Sequence, residues 1–313
     1  MQIDSEKIEI VTACDDNYVQ HLGVMLCSLL ENTLHREKIN IWVIDGGITP
    51  VNKHKLSDFI VSIYNIKIRY LYIDQNIYLR FPISFHFTHT IYYRISIPIL
   101  FDVSVSKVLY LDSDMIIKSD ISKIWNVDIS EYYAASVEAL GFEKRYADLN
   151  MLSESIYFCS GLLMMNLKKW REDDVMNRVI HFIEDNQSKI QMWDQDSLNS
   201  ILCGKWLPLP LDWNQQTYFF DDEIYNKFCN REDFIKARDC PSIIHYTSSH
   251  KPWHYMNDHP YKYEYFNYLK LTPWKEFSPK FSLLIRIKKM LRVIIPKTIW
   301  LKVYKTISSF ISS

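Results

Sequence analysis

The chain has 313 residues, of which 48% are apolar and 23% are charged, and its formal net charge is −1 at pH 7. This length suffices for one large domain or two small ones with a sizeable core, and the apolar fraction excludes a wholly disordered protein. The nearly balanced charge removes any argument for a globally basic nucleic-acid-binding protein, so we expect no nucleic-acid partner.

The first third of the chain alternates β-rich segments with segments of helical periodicity. Strands are predicted at residues 8–14, 39–45, 66–73 and 107–111, and helices at 17–32 and 51–64. Strand–helix alternation at this spacing predicts a parallel α/β sheet that binds its ligands at the carboxyl ends of the strands.

Beyond Asp128 the pattern is mixed. Strands are predicted at 132–138, 158–167, 205–211 and 242–246, and helices at 173–185 and 194–203. The chain has only six glycines, and neither a G-x-G-x-x-G segment nor a P-loop is present. The sequence therefore supports neither a dinucleotide-dependent oxidoreductase nor a P-loop kinase.

The end of the chain is strongly basic. The chain up to Glu276 holds 28 basic and 37 acidic residues, and no acidic residue follows. Eight basic residues do follow: Lys280, Arg286, Lys288, Lys289, Arg292, Lys297, Lys302 and Lys305. We therefore interpret residues 1–275 as an enzyme body and residues 276–313 as a basic appendage for an anionic surface.

Residues 281–295 and 298–311, on either side of Pro296, place apolar side chains on one side of a helix and bases on the other. Basic amphipathic helices with aromatic residues are typical of membrane-surface anchors. The alternative is a pair of helices that pack their apolar sides on the body.

The cysteines and the N-terminal segment bear on the cellular compartment. Six cysteines are scattered without a C-x-x-C pair, so no structural zinc site is expected. The first residues, MQIDSEKIEIV, carry acids where a signal peptide has bases, and no run of 18 uncharged apolar residues occurs. These features predict a cytoplasmic protein with reduced thiols and no membrane-spanning helix.

Asp112 and Asp114 directly follow the apolar strand predicted at 107–111. In extended backbone, residues i and i+2 point to the same side, so both carboxylates can face one divalent ion. Mg²⁺ or Mn²⁺ held in this way keeps coordination sites open for the phosphate oxygens of a substrate. The alternative for an isolated D-x-D is a solvated turn, which the apolar strand before it disfavours.

Three further segments carry candidate site residues. His245 follows an apolar strand and could complete a metal site, with Lys251 close behind to neutralise phosphate; the alternative is a hydrogen-bonded core histidine. The segment from Asp15 to Tyr18 lies at the first strand-to-helix turn, where nucleotides bind in open α/β sheets, although Asp15 could equally be an N-cap. Asp194 opens a predicted helix and could likewise be the N-cap of that helix.

Together these segments resemble one family closely. The runs LYLDSDMIIKSDI, YFCSGLLMMNLKKWR, WDQDSLN and HYTSSHKPW occur in the order and approximate spacing of the family 8 glycosyltransferases, and IVTACDDNYVQHLGVMLCSLLENT is also similar to that family. The group includes bacterial lipopolysaccharide glucosyl- and galactosyltransferases and glycogenin. The resemblance covers residues 8–275.

The resemblance implies a GT-A fold, a Rossmann-like α/β domain with a mixed, mainly parallel central sheet, followed here by the amphipathic helical tail. It implies a UDP-glucose or UDP-galactose donor, dependence on Mn²⁺ with Mg²⁺ as the alternative, and retention of anomeric configuration. A covalent and a front-face route to retention both stay open.

The resemblance also implies roles for residues that match the family's motifs. The implied metal ligands are Asp112, Asp114 and His245. The implied donor-binding residues are Asp15, Asn17, Tyr18, Ser113, Gly161, Ser248 and Lys251. The implied catalytic residues beside the donor sugar are Arg94, Glu138, Asp194 and Gln195. Two departures, Cys159 where relatives often have Asn and Glu138 where they have Asp, leave glucose and galactose both open; Cys159 is also typical of a small buried apolar residue.

The leading hypothesis is a metal-dependent retaining hexosyltransferase that works at the inner face of the cell membrane on a saccharide acceptor, possible acceptors including lipid-linked ones. A nucleotide-sugar hydrolase with the same carboxylates is the second hypothesis. A non-catalytic membrane-associated partner is the third, and the presence of Asp112, Asp114, His245 and Lys251 together argues against it.

Overall fold

The computed structural model describes residues 7–83, 88–142, 145–227 and 230–279. Its strands are β1 (Ile8–Cys14), β2 (Ile39–Asp45), β3 (Ile68–Leu71), β4 (Lys107–Leu111), β5 (Met115–Ile117), β6 (Ala134–Glu138), β7 (Phe158–Asn166), β8 (Trp206–Pro208), β9 (Gln215–Gln216) and β10 (Ile243–His245). Its α-helices are α1 (Val19–Asn32), α2 (Pro50–Tyr64), α3 (Ile97–Leu100), α4 (Ser122–Trp125), α5 (Arg145–Asp148), α6 (Leu167–Glu172), α7 (Val175–Asp185), α8 (Trp193–Ile201), α9 (Asp222–Lys227), α10 (Arg231–Asp239) and α11 (Lys262–Leu269).

Within these residues the central sheet has seven strands in the order β3-β2-β1-β4-β7-β6-β8. The first four strands are mutually parallel, β7 is antiparallel to both of its neighbours, and β8 is parallel to β6. The sheet is therefore mixed and mainly parallel, which confirms the predicted fold class. The carboxyl ends of β1 and β4 lie at the same edge, where the order predicts a ligand site.

A second, three-stranded sheet in the order β5-β10-β9 lies beyond the end of β4. Strand β10 is antiparallel to β5, with His245 opposite Met115, and parallel to β9, with His245 opposite Gln216. This pairing brings a strand from near the end of the described chain to the residues that directly follow β4.

Helices cover both faces of the large sheet, and neighbouring strand residues belong to different apolar clusters. Ile10 is buried in the cluster that includes Leu22 of α1, whereas Val11 is buried in the cluster that includes Trp170 of α6. Because successive side chains of a strand point to opposite faces, a strand buried on both sides must be apolar throughout. Ile10 and Val11 of β1 and residues 108–111 of β4 satisfy this requirement, whereas Glu9 and Lys107, near the starts of these strands, are only partly buried.

The bounds of α2 show how local sequence sets an element. The Thr49 hydroxyl accepts a hydrogen bond from the Asn52 amide, and Pro50 occupies the first helical position. Asn65 ends the helix with φ of 57°, a left-handed conformation that asparagine tolerates better than most residues. The helix predicted at 51–64 is thereby confirmed to within one residue.

The other predicted elements agree with the structure to different degrees. The strands predicted at 8–14, 39–45 and 107–111 are confirmed at the same bounds, whereas those at 66–73 and 205–211 shorten to four and three residues. The helix predicted at 17–32 divides into a 3₁₀ turn, Asp16–Tyr18, and α1. Strands β5 and β9 were not predicted.

The tail helices predicted at 281–295 and 298–311 lie outside the described residues. None of the helices within 7–83, 88–142, 145–227 and 230–279 combines the length and the apolar character needed to cross a bilayer.

Candidate active site

The carboxylates of Asp112 and Asp114 meet the imidazole of His245 at the carboxyl end of β4. Backbone bonds fix all three residues, since the Asp112 amide donates to the Gly161 carbonyl (2.9 Å) and the Tyr246 amide donates to the Asp114 carbonyl (3.1 Å). His245 Nε2 lies 3.3 Å from Asp114 Oδ1 and 3.8 Å from Asp112 Oδ2. One ligand atom from each residue lies within 4.8 Å of the others.

This cluster fits a divalent cation. Two carboxylate oxygens and one imidazole nitrogen form a donor set that suits Mn²⁺. Mg²⁺ is the alternative, although it prefers a site made of oxygen ligands alone. The backbone of Gly161 lies against it: a Cβ at this position would lie 2.6 Å from Asp112 Oδ2 and closer still to the His245 ring. Only glycine leaves the two ligands in place, so the close approach accounts for this glycine.

Asn214 fixes the orientation of the His245 ring. Its Oδ1 lies 2.9 Å from His245 Nδ1, so this nitrogen carries the hydrogen and donates it, which leaves Nε2 facing the carboxylates. Burial disfavours the charged imidazolium, but the Asp114 carboxylate outweighs this effect and raises the pKa of His245 to about 10. A cation that binds Nε2 would therefore displace a proton.

Lys251 lies beside Asp114 on the other side. Its Nζ is 2.5 Å from Asp114 Oδ2 and also donates to the Tyr246 carbonyl (2.6 Å). Burial acts to raise the pKa of Asp114, but Lys251 and His245 outweigh it and hold this pKa well below its usual range. Asp114 is therefore ionised at any physiological pH.

Arg94 connects the metal-binding cluster to α8. Its side chain is almost fully buried, and Nη2 lies 3.0 Å from Asp112 Oδ1 while Nη1 donates to the Ser160 carbonyl (2.6 Å). Nε lies 3.1 Å from Asp194 Oδ2, so the two side chains form an ion pair. The N–H of Nε is not aligned for a hydrogen bond to this oxygen. The guanidinium also packs over the Tyr110 ring, 4.3 Å from its centroid.

Asp194 and Gln195 lie in the first turn of α8, buried against β7. Burial raises the pKa of Asp194 to about 6, although Arg94 acts to lower it. The helix begins at Trp193 with Met192 as its N-cap residue, so Asp194 lies inside the first turn, which contradicts the N-cap alternative. Gln195 Oε1 accepts a hydrogen bond from the Ser160 amide (3.0 Å), so its amide group is held in a defined orientation.

A buried ion pair supports this turn from behind. Asp196 accepts hydrogen bonds from Arg145 Nη2 (2.8 Å), the Tyr157 hydroxyl (2.7 Å) and the amides of Gln191 (2.7 Å) and Met192 (2.9 Å). These bonds fix the chain entering α8 and hence the position of the catalytic candidates. Sequence analysis missed this group, because Arg145 lies outside the quoted motifs and its pairing with Asp196 depends on tertiary structure.

Replacing Asp196 with alanine is expected to lower the free energy of unfolding by about 3 kcal/mol, because Arg145 would lose its buried partner. Asp148 offers a matched control, since it contacts the same guanidinium through Nη1 (2.6 Å) but is 57% exposed. Asp148→Ala should cost less than about 1 kcal/mol. Urea unfolding of both variants measures the difference, and equal losses would contradict the support assigned to Asp196.

The cleft in front of the cluster extends along the ends of β1 and β4. One part is lined by Ala13, Cys14, Asp15, Tyr18, Thr88, Thr90, Ile91, Arg94, Tyr110, Asp112, Ser113, Asp114 and Lys251. The other part is lined by the α8 turn together with Cys159, Gly161, Gln216 and His245. Ile91, Arg94, Asp112, Asp114 and Lys251 line both parts, so the two form one continuous cleft.

Asp15 is both an N-cap and a cleft residue. Its Oδ1 accepts hydrogen bonds from the amides of Asn17 (3.0 Å) and Tyr18 (3.2 Å), while Oδ2 accepts one from the Thr88 hydroxyl (3.0 Å). The capping bonds fix the carboxylate at the mouth of the cleft. Tyr18 lines the cleft beside it, and Ser113 is buried in the same wall.

Three of the predicted residues lie away from the cleft. The Asn17 side chain is exposed and is absent from the cleft lining. Ser248 lines a neighbouring groove, and its hydroxyl donates to the His250 carbonyl (3.1 Å). Glu138 lines a small cavity with Tyr157, and its backbone carbonyl accepts a hydrogen bond from Gln216. Their predicted roles stay predictions.

The chain matches one family model and is similar to curated bacterial proteins. The sequence model of Glycosyl transferase family 8 matches residues 9–257. General stress protein A of Bacillus subtilis (strain 168) is 37% identical over 273 residues, which are 86% of this chain and 95% of that protein. A lipopolysaccharide 1,2-glucosyltransferase of Escherichia coli (strain K12) is 26% identical over 288 residues, covering 88% and 81% of the two chains.

A solved structure shares the fold. The galactosyltransferase LgtC, solved in complex with donor and acceptor sugar analogs, superposes with a TM-score of 0.77 over 89% of this chain and 99% of its own. The two sequences are 22% identical, so this likeness speaks for the fold alone.

Proposed function

The chain belongs to glycosyltransferase family 8, and from this premise we propose that it transfers a hexose, glucose or galactose, from a UDP-sugar to a saccharide acceptor with retention of anomeric configuration. The observation that carries the proposal is the convergence of two carboxylates and one imidazole with two cations in a single cleft. Asp112, Asp114 and His245 offer ligand atoms, and Lys251 and Arg94 line the same space.

The positive side chains suit a leaving group that is a diphosphate. Breaking the bond between sugar and phosphate places negative charge on the departing nucleotide, and cations held in fixed positions beside it stabilise such charge. Lys251 and Arg94 are held in place before any ligand arrives, because both are tied to carboxylates and carbonyls. When bound by Asp112, Asp114 and His245, a Mn²⁺ or Mg²⁺ ion would offset the remaining diphosphate charge.

The turn that carries Asp194 suits the positive charge that develops on the sugar. As the bond breaks, positive charge grows on the anomeric carbon, and an ionised carboxylate nearby stabilises it. The pKa of Asp194 is raised to about 6, so its carboxyl group can still lose its proton at neutral pH. The Gln195 amide, oriented by the Ser160 amide, completes this side of the cleft.

A donor screen tests the proposal directly. UDP-glucose, UDP-galactose and UDP-N-acetylglucosamine would each be incubated with Mn²⁺, Mg²⁺ or EDTA and a mixture of saccharide acceptors, and product mass would be read. We expect transfer from one of the first two donors that EDTA abolishes. Donor turnover that no acceptor increases would instead indicate a nucleotide-sugar hydrolase, and turnover that EDTA leaves unchanged would contradict the metal site.

We further propose that the protein is cytoplasmic and acts at the inner face of the membrane on a lipid-linked saccharide of the cell surface. Support comes from the basic amphipathic pattern of residues 281–295 and 298–311 and from the relative named as a lipopolysaccharide glucosyltransferase. Domain bounds of 1–275 and 276–313 follow from the same pattern.

Deleting residues 277–313 is expected to release the protein from vesicles that contain anionic lipid, because the eight bases and both apolar faces are removed together. Co-sedimentation with anionic and with neutral vesicles measures binding. A variant with the eight bases changed to glutamine separates charge from apolar burial. Unchanged binding of the deletion variant would contradict the anchor.

A further inference from the structure

The side chain of Gln216 has an unused hydrogen-bond acceptor in the wall of the cleft. It is fully buried and lines the part of the cleft that also holds Cys159, Gly161 and His245. Its Oε1 is buried as well and has no hydrogen-bond partner among the described residues. A buried acceptor that stays unpaired destabilises a fold, so an atom of this kind in a cleft wall indicates a contact that a ligand completes.

Neighbouring carbonyls determine which end of the Gln216 amide is unpaired. Nε2 donates hydrogen bonds to the Glu138 carbonyl (2.8 Å) and to the Asn214 carbonyl (3.5 Å). A flip of the amide would place its oxygen against both carbonyls, so the nitrogen has to stay on this side. Oε1 is therefore held in one orientation, and it can only accept a hydrogen bond.

An oxygen that can only accept selects its ligand by chemistry. The oxygens of an ionised diphosphate are acceptors too, whereas each hydroxyl of a hexose can donate. Gln216 lines the part of the cleft that holds the Asp194 turn. It is absent from the lining of the part beside Asp15 and Tyr18, at the strand-to-helix turn where nucleotides bind in sheets of this kind. The missing partner is therefore a sugar hydroxyl and not a group of the nucleotide.

The pairing of β9 with β10 favours the transferred sugar over the acceptor. In this register Gln216 lies opposite His245, one of the three candidate ligands of the cation. A cation at this site would contact the diphosphate of the donor, and the hexose is bonded directly to that diphosphate. The hexose of the donor is therefore the sugar that comes nearest to Gln216.

We propose that Gln216 accepts a hydrogen bond through Oε1 from one hydroxyl group of the hexose that is transferred. The inference rests on the proposed function, since it needs a UDP-hexose in the cleft. It makes Gln216 a specificity-determining residue, because a donor that lacks this hydroxyl, or carries it on the other face of the ring, leaves Oε1 without a partner.

The experiment removes the oxygen and the hydroxyl separately and together. Gln216→Met keeps the length of the side chain and replaces the amide with a much weaker acceptor. The donor that the wild type uses would be compared with a series of analogues that each lack one hydroxyl. With the parent donor we expect the variant to lose about tenfold in kcat/KM, and with one analogue we expect the wild type to lose about tenfold. With that analogue the variant and the wild type should agree to within about twofold, because the interaction is already absent.

Gln215→Met is the matched control. Gln215 precedes Gln216 in β9, is equally buried and also has an unpaired Oε1, but it is absent from the lining of both parts of the cleft. Since successive side chains of a strand point to opposite sides, this substitution makes the same change of structure away from the sugar. The ratio of kcat/KM between the parent donor and each analogue should stay as in the wild type.

Binding measured without turnover gives a second readout. Calorimetry with the parent donor and its analogues in the presence of Mn²⁺ should show dependence on the same hydroxyl in the wild type, and loss of that dependence in Gln216→Met. Gln216→Asn draws the amide oxygen back by one methylene group. It takes the place of the methionine variant in every comparison if that variant does not fold.

The outcomes separate the inference from the proposed function. If the wild type neither binds nor uses any UDP-hexose, the proposed function is contradicted and the inference falls with it. If the wild type uses a donor but Gln216→Met loses the same factor with every analogue, the inference alone is overturned. It is also overturned if removal of a hydroxyl from the acceptor, and not from the donor, cancels the effect of the substitution.

Discussion

Asp112→Asn is expected to reduce hexose transfer by about a thousandfold, equivalent to ~4 kcal/mol of lost transition-state stabilisation. The amide keeps the size of the side chain but removes its charge. It thereby weakens the proposed cation site and also the contacts that Asp112 makes with Arg94 and the Tyr110 hydroxyl, both 3.0 Å away. Steady-state transfer and Mn²⁺ binding followed by electron paramagnetic resonance measure the two consequences separately.

Asp128→Asn is the matched control for that substitution. Asp128 is exposed, and its Oδ1 accepts a hydrogen bond from the Ser130 amide, which an asparagine oxygen can also accept. This variant should retain wild-type transfer and Mn²⁺ binding. If Asp112→Asn keeps near-normal activity, or if it loses activity while binding Mn²⁺ as the wild type does, the metal role of Asp112 is contradicted.

Arg94→Met is expected to lower the free energy of unfolding by about 4 kcal/mol and to reduce transfer by at least about a hundredfold. The methionine fills part of the volume, but it leaves Asp194 buried without a cation and frees the Ser160 carbonyl from its partner. Arg238→Met is the matched control, because Arg238 pairs with an exposed Asp239 at the surface. It should cost less than about 1 kcal/mol.

The loss in Arg94→Met should depend on pH with a defined sign. The folded pKa of Asp194 is raised from 3.8 to about 6, so the native carboxyl holds a proton that the unfolded chain releases, and stability falls as pH rises through this window. Arg94 acts to lower that pKa, so its removal extends the window to higher pH. Urea unfolding at pH 5 and pH 8 should show a larger deficit at pH 8, and a deficit independent of pH would contradict the assignment to Asp194.

Much of the fold follows from the sequence because the long central strands are buried on both faces. Strands β1, β2 and β4 are mostly apolar runs rich in β-branched and aromatic residues, and helical segments separate them in the sequence. Such runs have few alternative structures. Strands β5 and β9 have three and two residues, too short for any periodicity to appear. Their pairing with β10 depends on tertiary structure, and so the second sheet could not be predicted.

The site residues also divide into those that could be predicted from the sequence and those that could not. Asp112, Asp114, His245 and Lys251 were predicted because each lies in a motif of recognisable order, and the structure places them together. Asn214 carries no such signal, since a single asparagine in a polar stretch is ordinary until its contact with His245 is known. Glycine at position 161 was predicted from a motif, but its physical reason, the closeness of two side chains, appears only in three dimensions.

The pairing of β10 with β5 has a consequence for biosynthesis. The ribosome completes Asp112 and Asp114 long before it reaches His245, and the imidazole can join them only when β10 docks as the partner of β5. A nascent or prematurely terminated chain would therefore present two carboxylates without the third ligand or the Lys251 ammonium. The complete cluster can therefore form only after the chain has been synthesised past Lys251.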